Sequence, residues 1–187
     1  MAANSSPTNP DGAQLDCLIQ GIAGGDRDAF RRLYEALRTP VYRFALSQLH
    51  DLHRAEDVMQ DTFFSILRYA GSYRSGTNPR AWIFTIARNH VISAQKAVSA
   101  DALPLESDLL WSSDGQEALL DSISALEALA ILSREEREIL SLYLYGGMRQ
   151  TEIARMLKIP YLKVRSKYGY AIQKLKTYYT KKERIQP

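Results

Sequence analysis

Apolar residues recur along most of the chain at spacings of three and four, which is the period of one face of an α-helix. The longest such stripe contains Phe30, Leu33, Leu37, Val41 and Phe44. Sustained alternation of apolar and polar residues, the pattern of a half-buried strand, is nearly absent. The pattern therefore predicts an all-α fold.

The pattern predicts four helices in the first half of the chain. The first spans about residues 14–23, and the second carries the stripe just described. Pro40 lies inside that stripe and is expected to kink or interrupt the helix near Ala36, because proline lacks a backbone N–H and clashes with the preceding turn. Asp51 is suited to cap the third helix.

A loop and an acidic connector separate the remaining helices. Gly71 to Pro79 is a loop by composition and precedes a helix that ends near Val98. Residues 100–120 are acidic and lack helical periodicity, so they are predicted to be a linker. Helices are then predicted at about residues 121–131, 133–146, 149–157 and 160–179, the second opened by the capping box Ser133-Arg-Glu-Glu136.

The composition is that of a folded soluble protein without an export signal. The 187 residues are 45% hydrophobic, and no apolar run approaches the roughly 20 residues that cross a bilayer. The N-terminal MAANSSPTNPDG lacks the basic and apolar segments of a signal peptide. The single cysteine, Cys17, excludes an internal disulfide. The protein is therefore expected in the cytoplasm, with no membrane insertion of its own.

Charge is unevenly distributed, although the formal net charge is only +3. Residues 1–96 carry 11 Lys and Arg against 9 Asp and Glu, residues 97–126 carry none against 6, and residues 127–187 carry 13 against 6. A basic C-terminal block indicates a polyanionic partner. A well-solvated basic surface is the alternative interpretation.

Residues 150–168, QTEIARMLKIPYLKVRSKY, have the pattern of a helix-turn-helix. Ile153 and Val164 are among the apolar positions that hold two such helices together, and Ala154 is the small residue where they touch. Lys158 stands at the turn position that glycine often takes. The second helix presents side chains that contact phosphates and base edges in a major groove, and these are Tyr161, Lys163, Arg165, Ser166, Lys167 and Tyr170. A three-helix packing module with a basic face is the alternative.

Residues 69–89, YAGSYRSGTNPRAWIFTIARN, place arginines and aromatic residues beside a loop. Tyr69, Tyr73 and Trp82 are suited to stack on unpaired bases. The basic groups suited to hold a nucleic-acid backbone are Arg74, Arg80 and Arg88. The segment therefore favours single-stranded nucleic acid as a ligand, and a place in the hydrophobic core is the alternative for Trp82.

Catalytic chemistry has little support in the sequence. The three histidines, His50, His53 and His90, and the one cysteine show no metal-ligand spacing. No phosphate-binding glycine loop is present. The sequence therefore predicts a protein that is not an enzyme and needs no cofactor and no metal.

Three segments together resemble a bacterial RNA polymerase sigma factor. They are AEDVMQDTFF at residues 55–64, NPRAWIFTIARN at residues 78–89 with the loop before it, and LSREEREILSLYLYGGMRQTEIARMLKI at residues 132–159. The type is the small extracytoplasmic-function (ECF) group of the sigma-70 family, which has only regions 2 and 4. The similarity covers about residues 14–98 and 121–180.

The resemblance implies three contact surfaces. Core polymerase, through the clamp of its largest subunit, would be bound by Asp57, Gln60, Asp61 and Phe63. The unpaired −10 element would be bound by Tyr73, Arg74, Ser75, Asn78, Trp82, Arg88 and Asn89. The −35 duplex would be bound by the outward side chains of the helix-turn-helix given above, together with Arg149.

The resemblance also implies how the chain is divided. Two small helical domains would be joined by a flexible acidic linker, with a four-helix region 2 for polymerase binding, −10 recognition and melting, and a helix-turn-helix region 4 for −35 recognition. The divisions are a disordered tail at 1–12, region 2 at 13–98, the linker at 99–120, region 4 at 121–182 and a tail at 183–187. The recognition helix departs from the family pattern, with Tyr168, Gly169, Tyr170 and Ile172 where arginines or a histidine are common.

The function implied is promoter-specific transcription initiation, with core RNA polymerase, promoter DNA and an anti-sigma factor as partners. Two other functions stay open. A helix-turn-helix regulator with an N-terminal helical sensor domain would bind duplex DNA without replacing sigma, although the segment at residues 55–64 argues against it. The sigma fold could also serve mainly as a binding partner of another protein, without directing initiation at promoters.

Overall fold

The computed structural model describes residues 10–100 and 127–185, and this part of the chain contains helices but no strands. The helices are α1 (Gly12–Ala23), α2 (Arg27–Leu49), α3 (Leu52–Tyr69), α4 (Pro79–Ala100), α5 (Arg134–Leu144), α6 (Gln150–Leu157) and α7 (Tyr161–Ile185). A 3-10 turn, Ala70–Ser72, follows α3, and residues 127–130 are helical. The all-α prediction is confirmed. Nearly all of the predicted linker and much of the predicted helix at 121–131 lie outside the described residues.

Local sequence signals fix the starts of α3 and α5. The Asp51 carboxylate accepts a hydrogen bond from the backbone N–H of Arg54 at 3.0 Å, which is the predicted cap. At α5 the Ser133 hydroxyl accepts from the Glu136 N–H, and the Glu136 carboxylate accepts from the Ser133 N–H, so the predicted capping box is present. Each cap satisfies a backbone donor that the first helical turn leaves without an intrahelical partner.

Pro40 does not interrupt α2, which runs without a break for 23 residues. The expected interruption near Ala36 is therefore wrong. Leu37 and Val41 lie on either side of the proline and are fully buried. Packing against neighbouring helices holds α2 together here despite the backbone hydrogen bond that proline removes.

The first block, residues 10–100, is built around α2, against which α1, α3 and α4 pack. The rings of Phe44 and Phe84 meet edge to face in its core, with centroids 5.6 Å apart. Both side chains are fully buried. This contact holds α4, the helix that follows the arginine-containing loop, against α2.

In the second block, residues 127–185, α6 and α7 form the predicted helix-turn-helix and α5 packs against α7. Ile153 and Val164 are fully buried, and Ala154 is 7% exposed. Lys158 occupies the turn with a φ of 55°, the left-handed conformation that glycine adopts most readily. The turn geometry is therefore kept without the glycine.

The two blocks pack against each other, and α5 and α2 supply much of the contact. Ile139 and Leu142 of α5 and the nearby Met148 belong to the same buried apolar cluster as the first block. Gln48, at the end of α2, is also buried, and its Nε2 lies 3.5 Å from the Ser141 hydroxyl. A shared apolar core thus sets the relative placement of the blocks. In the described part of the chain, none of the helices combines the length and the apolar character needed to cross a bilayer.

Candidate nucleic-acid and protein interfaces

The loop at residues 73–78 lies beside an aromatic pair. The rings of Tyr73 and Trp82 have centroids 5.2 Å apart and planes inclined at 57°. Trp82 is half-buried, so one part of its ring packs against the core and another part stays accessible. Arg74 on the loop and Asn89 on α4 are exposed. Trp82 is therefore partly a core residue, and its role as a stacking group stays a prediction.

A carboxylate of α1 holds this loop. Tyr73 Oη donates to Asp16 Oδ1 at 2.6 Å, Ser75 Oγ donates to Asp16 Oδ2 at 2.6 Å, and the Gly76 N–H donates to Asp16 Oδ1 at 3.1 Å. The hydrogen bonds from Ser75 and Tyr73 lower the pKa of Asp16. Burial and the bond to Asp16 raise the pKa of Tyr73. The sequence did not single out Asp16, because an acid on the first helix gives no local sign of a contact 57–60 residues away.

Two of the predicted −10 residues face carboxylates of the second block. Arg88 Nε lies 2.6 Å from Glu138 Oε1, and Asn78 Nδ2 donates to Glu152 Oε1 at 2.8 Å. Asn78 also caps α4, since its Oδ1 accepts from the Ala81 N–H at 2.9 Å. In this arrangement both side chains are engaged within the protein, by acidic residues that the sequence analysis did not assign to the site.

The face of α3 predicted to bind polymerase is polar and accessible. Asp57, Gln60 and Asp61 are all exposed. Asp61 Oδ2 lies 4.0 Å from His90 Nδ1 of α4, and the His90 Nε2 lies 2.8 Å from the Ser65 hydroxyl. The polar residues of this face are therefore accessible to solvent, and His90 of α4 lies beside Asp61.

Phe63, which the resemblance also assigns to that face, is instead a core residue and does not lie on the accessible surface. Its side chain is only 3% exposed, and its ring packs against Phe30 and Tyr34 with centroids 6.3 and 4.8 Å apart. Phe64 is 69% exposed, and Leu67 one turn later is 45% exposed. The most exposed aromatic side chain of α3 is therefore Phe64, one residue beyond the predicted one.

The recognition helix α7 carries its predicted side chains on two faces. Lys163 and Lys167 turn toward α5, where their Nζ atoms lie 2.7 and 3.3 Å from the two carboxylate oxygens of Glu135. The bond from Lys163 lowers the pKa of Glu135. Arg149, at the start of α6, and Tyr161 are exposed. A shallow depression on the outer face is lined by Leu162, Arg165, Ser166, Gly169, Tyr170 and Gln173.

Comparison with known proteins identifies both blocks. The models of sigma-70 region 2 and sigma-70 region 4 match residues 33–99 and 128–177. The ECF RNA polymerase sigma factor SigL of Mycobacterium tuberculosis is 29% identical over 164 residues, which cover 84% of this chain and 93% of SigL. The ECF RNA polymerase sigma factor SigK of Mycobacterium ulcerans is 26% identical over 182 residues, which cover 90% of this chain and 96% of SigK.

Solved structures share the fold. CnrH, solved in complex with the cytosolic domain of CnrY, superposes with a TM-score of 0.68 at 23% identity, covering 91% of this chain and 98% of CnrH. The sigma factor RpoE of Bartonella quintana, solved with the anti-sigma factor NepR, gives a TM-score of 0.61 at 22% identity. The match covers 84% of this chain and 98% of RpoE. The chain belongs to the sigma-70 family of bacterial RNA polymerase sigma factors, within its extracytoplasmic-function group.

Proposed function

We propose that this sigma factor binds core RNA polymerase through the exposed face of α3 and reads its promoter with two separate surfaces. The loop at residues 73–78 together with α4 takes the unpaired −10 strand, and α7 enters the major groove of the −35 duplex. The observation that carries the proposal is the pairing of Tyr73 with Trp82 beside the exposed Arg74, which sets an accessible aromatic surface next to a cation.

The −10 surface has the chemistry that an unpaired base requires. A half-buried aromatic ring offers a stacking face, and such stacking contributes about 1–3 kcal/mol per base. Tyr73 stands against that ring, Arg74 adds an exposed cation on the loop, and Asn89 adds an exposed amide on α4. Holding an unpaired base shifts the promoter toward the melted state, because only the melted state can make this contact.

The −35 surface is the outer face of α7 together with Arg149. Arg165 and Ser166 offer hydrogen-bond donors to phosphates and base edges. Leu162 is 72% exposed and Tyr170 is 56% exposed, so apolar contacts in the groove are available as well. Lys163 and Lys167 are held by Glu135 and would contact DNA only after leaving that carboxylate.

The polymerase surface combines an acidic patch with an exposed aromatic side chain. The polar part of this surface consists of the exposed residues Asp57, Gln60 and Asp61. Its apolar part consists of the exposed side chains of Phe64 and Leu67. An exposed aromatic anchor with a polar rim is the usual composition of a protein–protein hot spot. We therefore replace Phe63 by Phe64 in the proposed contact with the polymerase clamp.

An anti-sigma factor is the proposed regulator. Arg88 and Asn78 are engaged by Glu138 and Glu152 of the second block, so the packed arrangement keeps part of the −10 surface from DNA. A partner that stabilises this packing would inhibit the protein, and the sigma factor RpoE has been solved in complex with an anti-sigma factor, NepR. The protein itself catalyses no reaction in this proposal, and it acts in the cytoplasm, where polymerase and promoter meet.

The test is in vitro transcription from fragmented genomic DNA with bacterial core polymerase, with and without the protein. Discrete new start sites that share upstream elements would support the proposal and give the promoter sequence. Asp61→Arg serves as the matched variant, since it should abolish both the transcripts and co-elution with core polymerase while the fold is kept. Binding to duplex DNA without co-elution of the unmodified protein with core polymerase would instead favour the helix-turn-helix regulator.

A further inference from the structure

We propose that Asp16 of α1 is the positioning residue for the −10 loop, and that its carboxylate holds the loop in the shape that receives an unpaired base. This inference rests on the proposed function, because it takes the loop at residues 73–78 as the −10 surface. The carboxylate accepts hydrogen bonds from three donors of the loop. They are the Tyr73 hydroxyl, the Ser75 hydroxyl and the Gly76 N–H, at 2.6, 2.6 and 3.1 Å.

Asp16 ties residues 73–76 to a distant element, and Asn78 at the end of the loop is tied separately to Glu152. The remaining hydrogen bonds described at residues 73–77 are local, from the Tyr73 N–H to the Ala70 carbonyl at 3.1 Å, and from the Thr77 N–H and hydroxyl to the Arg74 carbonyl at 3.3 and 2.6 Å. Residues 74–77 are exposed, and Gly76 has a φ of 76°, so packing alone does not impose one conformation. Hydrogen bonds to a carboxylate are about twice as strong as neutral ones, which suits them to this role.

The role predicted for Asp16 follows from the cost of ordering a loop. A loop that is already ordered loses less conformational freedom when a base arrives, so its affinity for the base is higher than that of a mobile loop. The bond from Tyr73 to Asp16 also fixes the phenol ring that stands against Trp82. One carboxylate therefore sets both the backbone of the loop and one ring of the stacking surface.

Removal of the Asp16 carboxylate has opposite expected effects on DNA binding, depending on whether Asp16 acts only through its charge or positions the loop. A carboxylate beside a DNA surface repels phosphates, so on charge alone its removal should strengthen DNA binding. Removal should also strengthen binding if Asp16 merely competed with the base for the donors of Ser75 and Tyr73. If Asp16 positions the loop, its removal should weaken binding of the unpaired base despite the more favourable charge.

The experiment measures binding of the holoenzyme, formed with core polymerase, to two DNA probes taken from a promoter found by the transcription test. One probe is unpaired across the −10 element, and the other is a duplex that carries only the −35 element. Asp16→Ala should weaken binding to the first probe about tenfold or more and leave binding to the second probe unchanged. Asp28→Ala is the control, since it removes an exposed acid of the same block, away from the loop, and makes the same change in charge.

A double-mutant cycle adds a result that a general loss of stability would not produce. Tyr73→Phe keeps the ring but removes its hydroxyl, so in the Asp16→Ala background it should have much less effect than in the unmodified protein. Unchanged or tighter −10 binding by Asp16→Ala would overturn the positioning role if Ser75→Ala or Trp82→Ala still weakens that binding. If none of these three variants affects −10 binding, the assignment of the loop itself is wrong, and the inference is overturned with it.

Discussion

The carboxylate of Glu138 lies 2.6 Å from Arg88 Nε, which joins the second block to α4, the helix that carries three of the predicted −10 residues. Both side chains are partly shielded, with 17% and 33% of their surface exposed. Arg88, which is predicted to contact the DNA backbone, is thus held by a carboxylate of the same chain. The proposed contact of Arg88 with DNA therefore requires this ion pair to break.

Glu138→Gln is expected to shift the protein toward the open arrangement. Loss of one partly shielded ion pair is worth about 1 kcal/mol, or roughly a fivefold change in the opening equilibrium. Energy transfer between a dye on the exposed Cys17 and a second dye on a cysteine placed at Lys176 should report a longer mean distance. Glu35→Gln removes an exposed acid of α2 and should leave the distance unchanged. Equal transfer in all three proteins would show that this ion pair does not hold the blocks together.

Phe63→Ala and Phe64→Ala are expected to separate stability from polymerase binding. Phe63 is in the core, so its truncation should lower the free energy of unfolding by about 3–5 kcal/mol. Phe64 is exposed, so its truncation should leave unfolding by urea nearly unchanged and weaken binding to core polymerase about tenfold. Full polymerase affinity of Phe64→Ala would remove this side chain from the proposed contact.

Arg165→Ala is expected to weaken −35 duplex binding and to reduce the salt dependence of binding by about one unit of logarithmic slope. Titrations of the duplex at several salt concentrations measure both quantities. Arg38→Ala removes an exposed arginine of α2 and serves as the control of equal charge. Parallel salt slopes for the two variants would mean that Arg165 makes no phosphate contact of its own.

Gly169→Ala is expected to stabilise the protein and to weaken −35 binding. A Cβ built on Gly169 has no heavy atom within 4 Å, so alanine should raise the free energy of unfolding by about 1 kcal/mol through its better helix propensity. The same methyl group would project into the depression beside Arg165 and Tyr170, where DNA is proposed to approach. Urea unfolding and duplex titration on one variant test both parts. A stabilised variant with unchanged affinity would mean that DNA does not approach the helix closely here.

Acidification toward pH 5.5 is expected to destabilise the packed arrangement through His50. This residue ends α2 and contacts the Arg137 guanidinium of α5, and burial, followed by the charge of Arg137, lowers the pKa of His50. Because the unfolded chain takes up this proton more readily, stability is retained above the ordinary histidine pKa and decreases as the pH falls below it. The melting temperature should therefore drop between about pH 7.5 and 5.5.

The variant His50→Asn isolates this contribution, since asparagine also tolerates the left-handed conformation that His50 adopts at a φ of 55°. The carboxyl pKa values of Asp16 and Glu135 are lowered by hydrogen bonds, so these groups titrate below this pH range. The change in melting temperature should shrink in His50→Asn and persist in His53→Asn. The same pH dependence in all three proteins would assign it to other groups.

The features that the sequence predicted correctly are those that depend on residues close together in the chain. The caps at Asp51 and Ser133 depend on residues three positions away, and both were found from the sequence alone. Phe63 and Phe64 are adjacent in the sequence, but Phe63 lies three residues before Ile66, a buried position of α3, whereas Phe64 points to the opposite face. Helical spacing thus favours Phe63 for the core, and its assignment to the polymerase surface came from the resemblance alone.

The contacts that join distant segments could not be predicted. Asp16 meets its loop across 57–60 residues, and Glu152 meets Asn78 across 74. Each of these acids looks in the sequence like a solvated surface residue. The recognition helix was located from its apolar positions, but the pairing of Lys163 with Glu135 depends on the angle at which α5 and α7 cross.

The apolar surface shared by the two blocks has a thermal consequence. Separation of the blocks would bring Ile139, Leu142 and Met148 into water, and hydration of such side chains raises the heat capacity. The apolar part of the interface therefore weakens as the solution is cooled, whereas the Arg88–Glu138 pair responds chiefly to salt. A sigma factor built in this way changes its ratio of closed to open molecules with temperature before any other molecule binds to it.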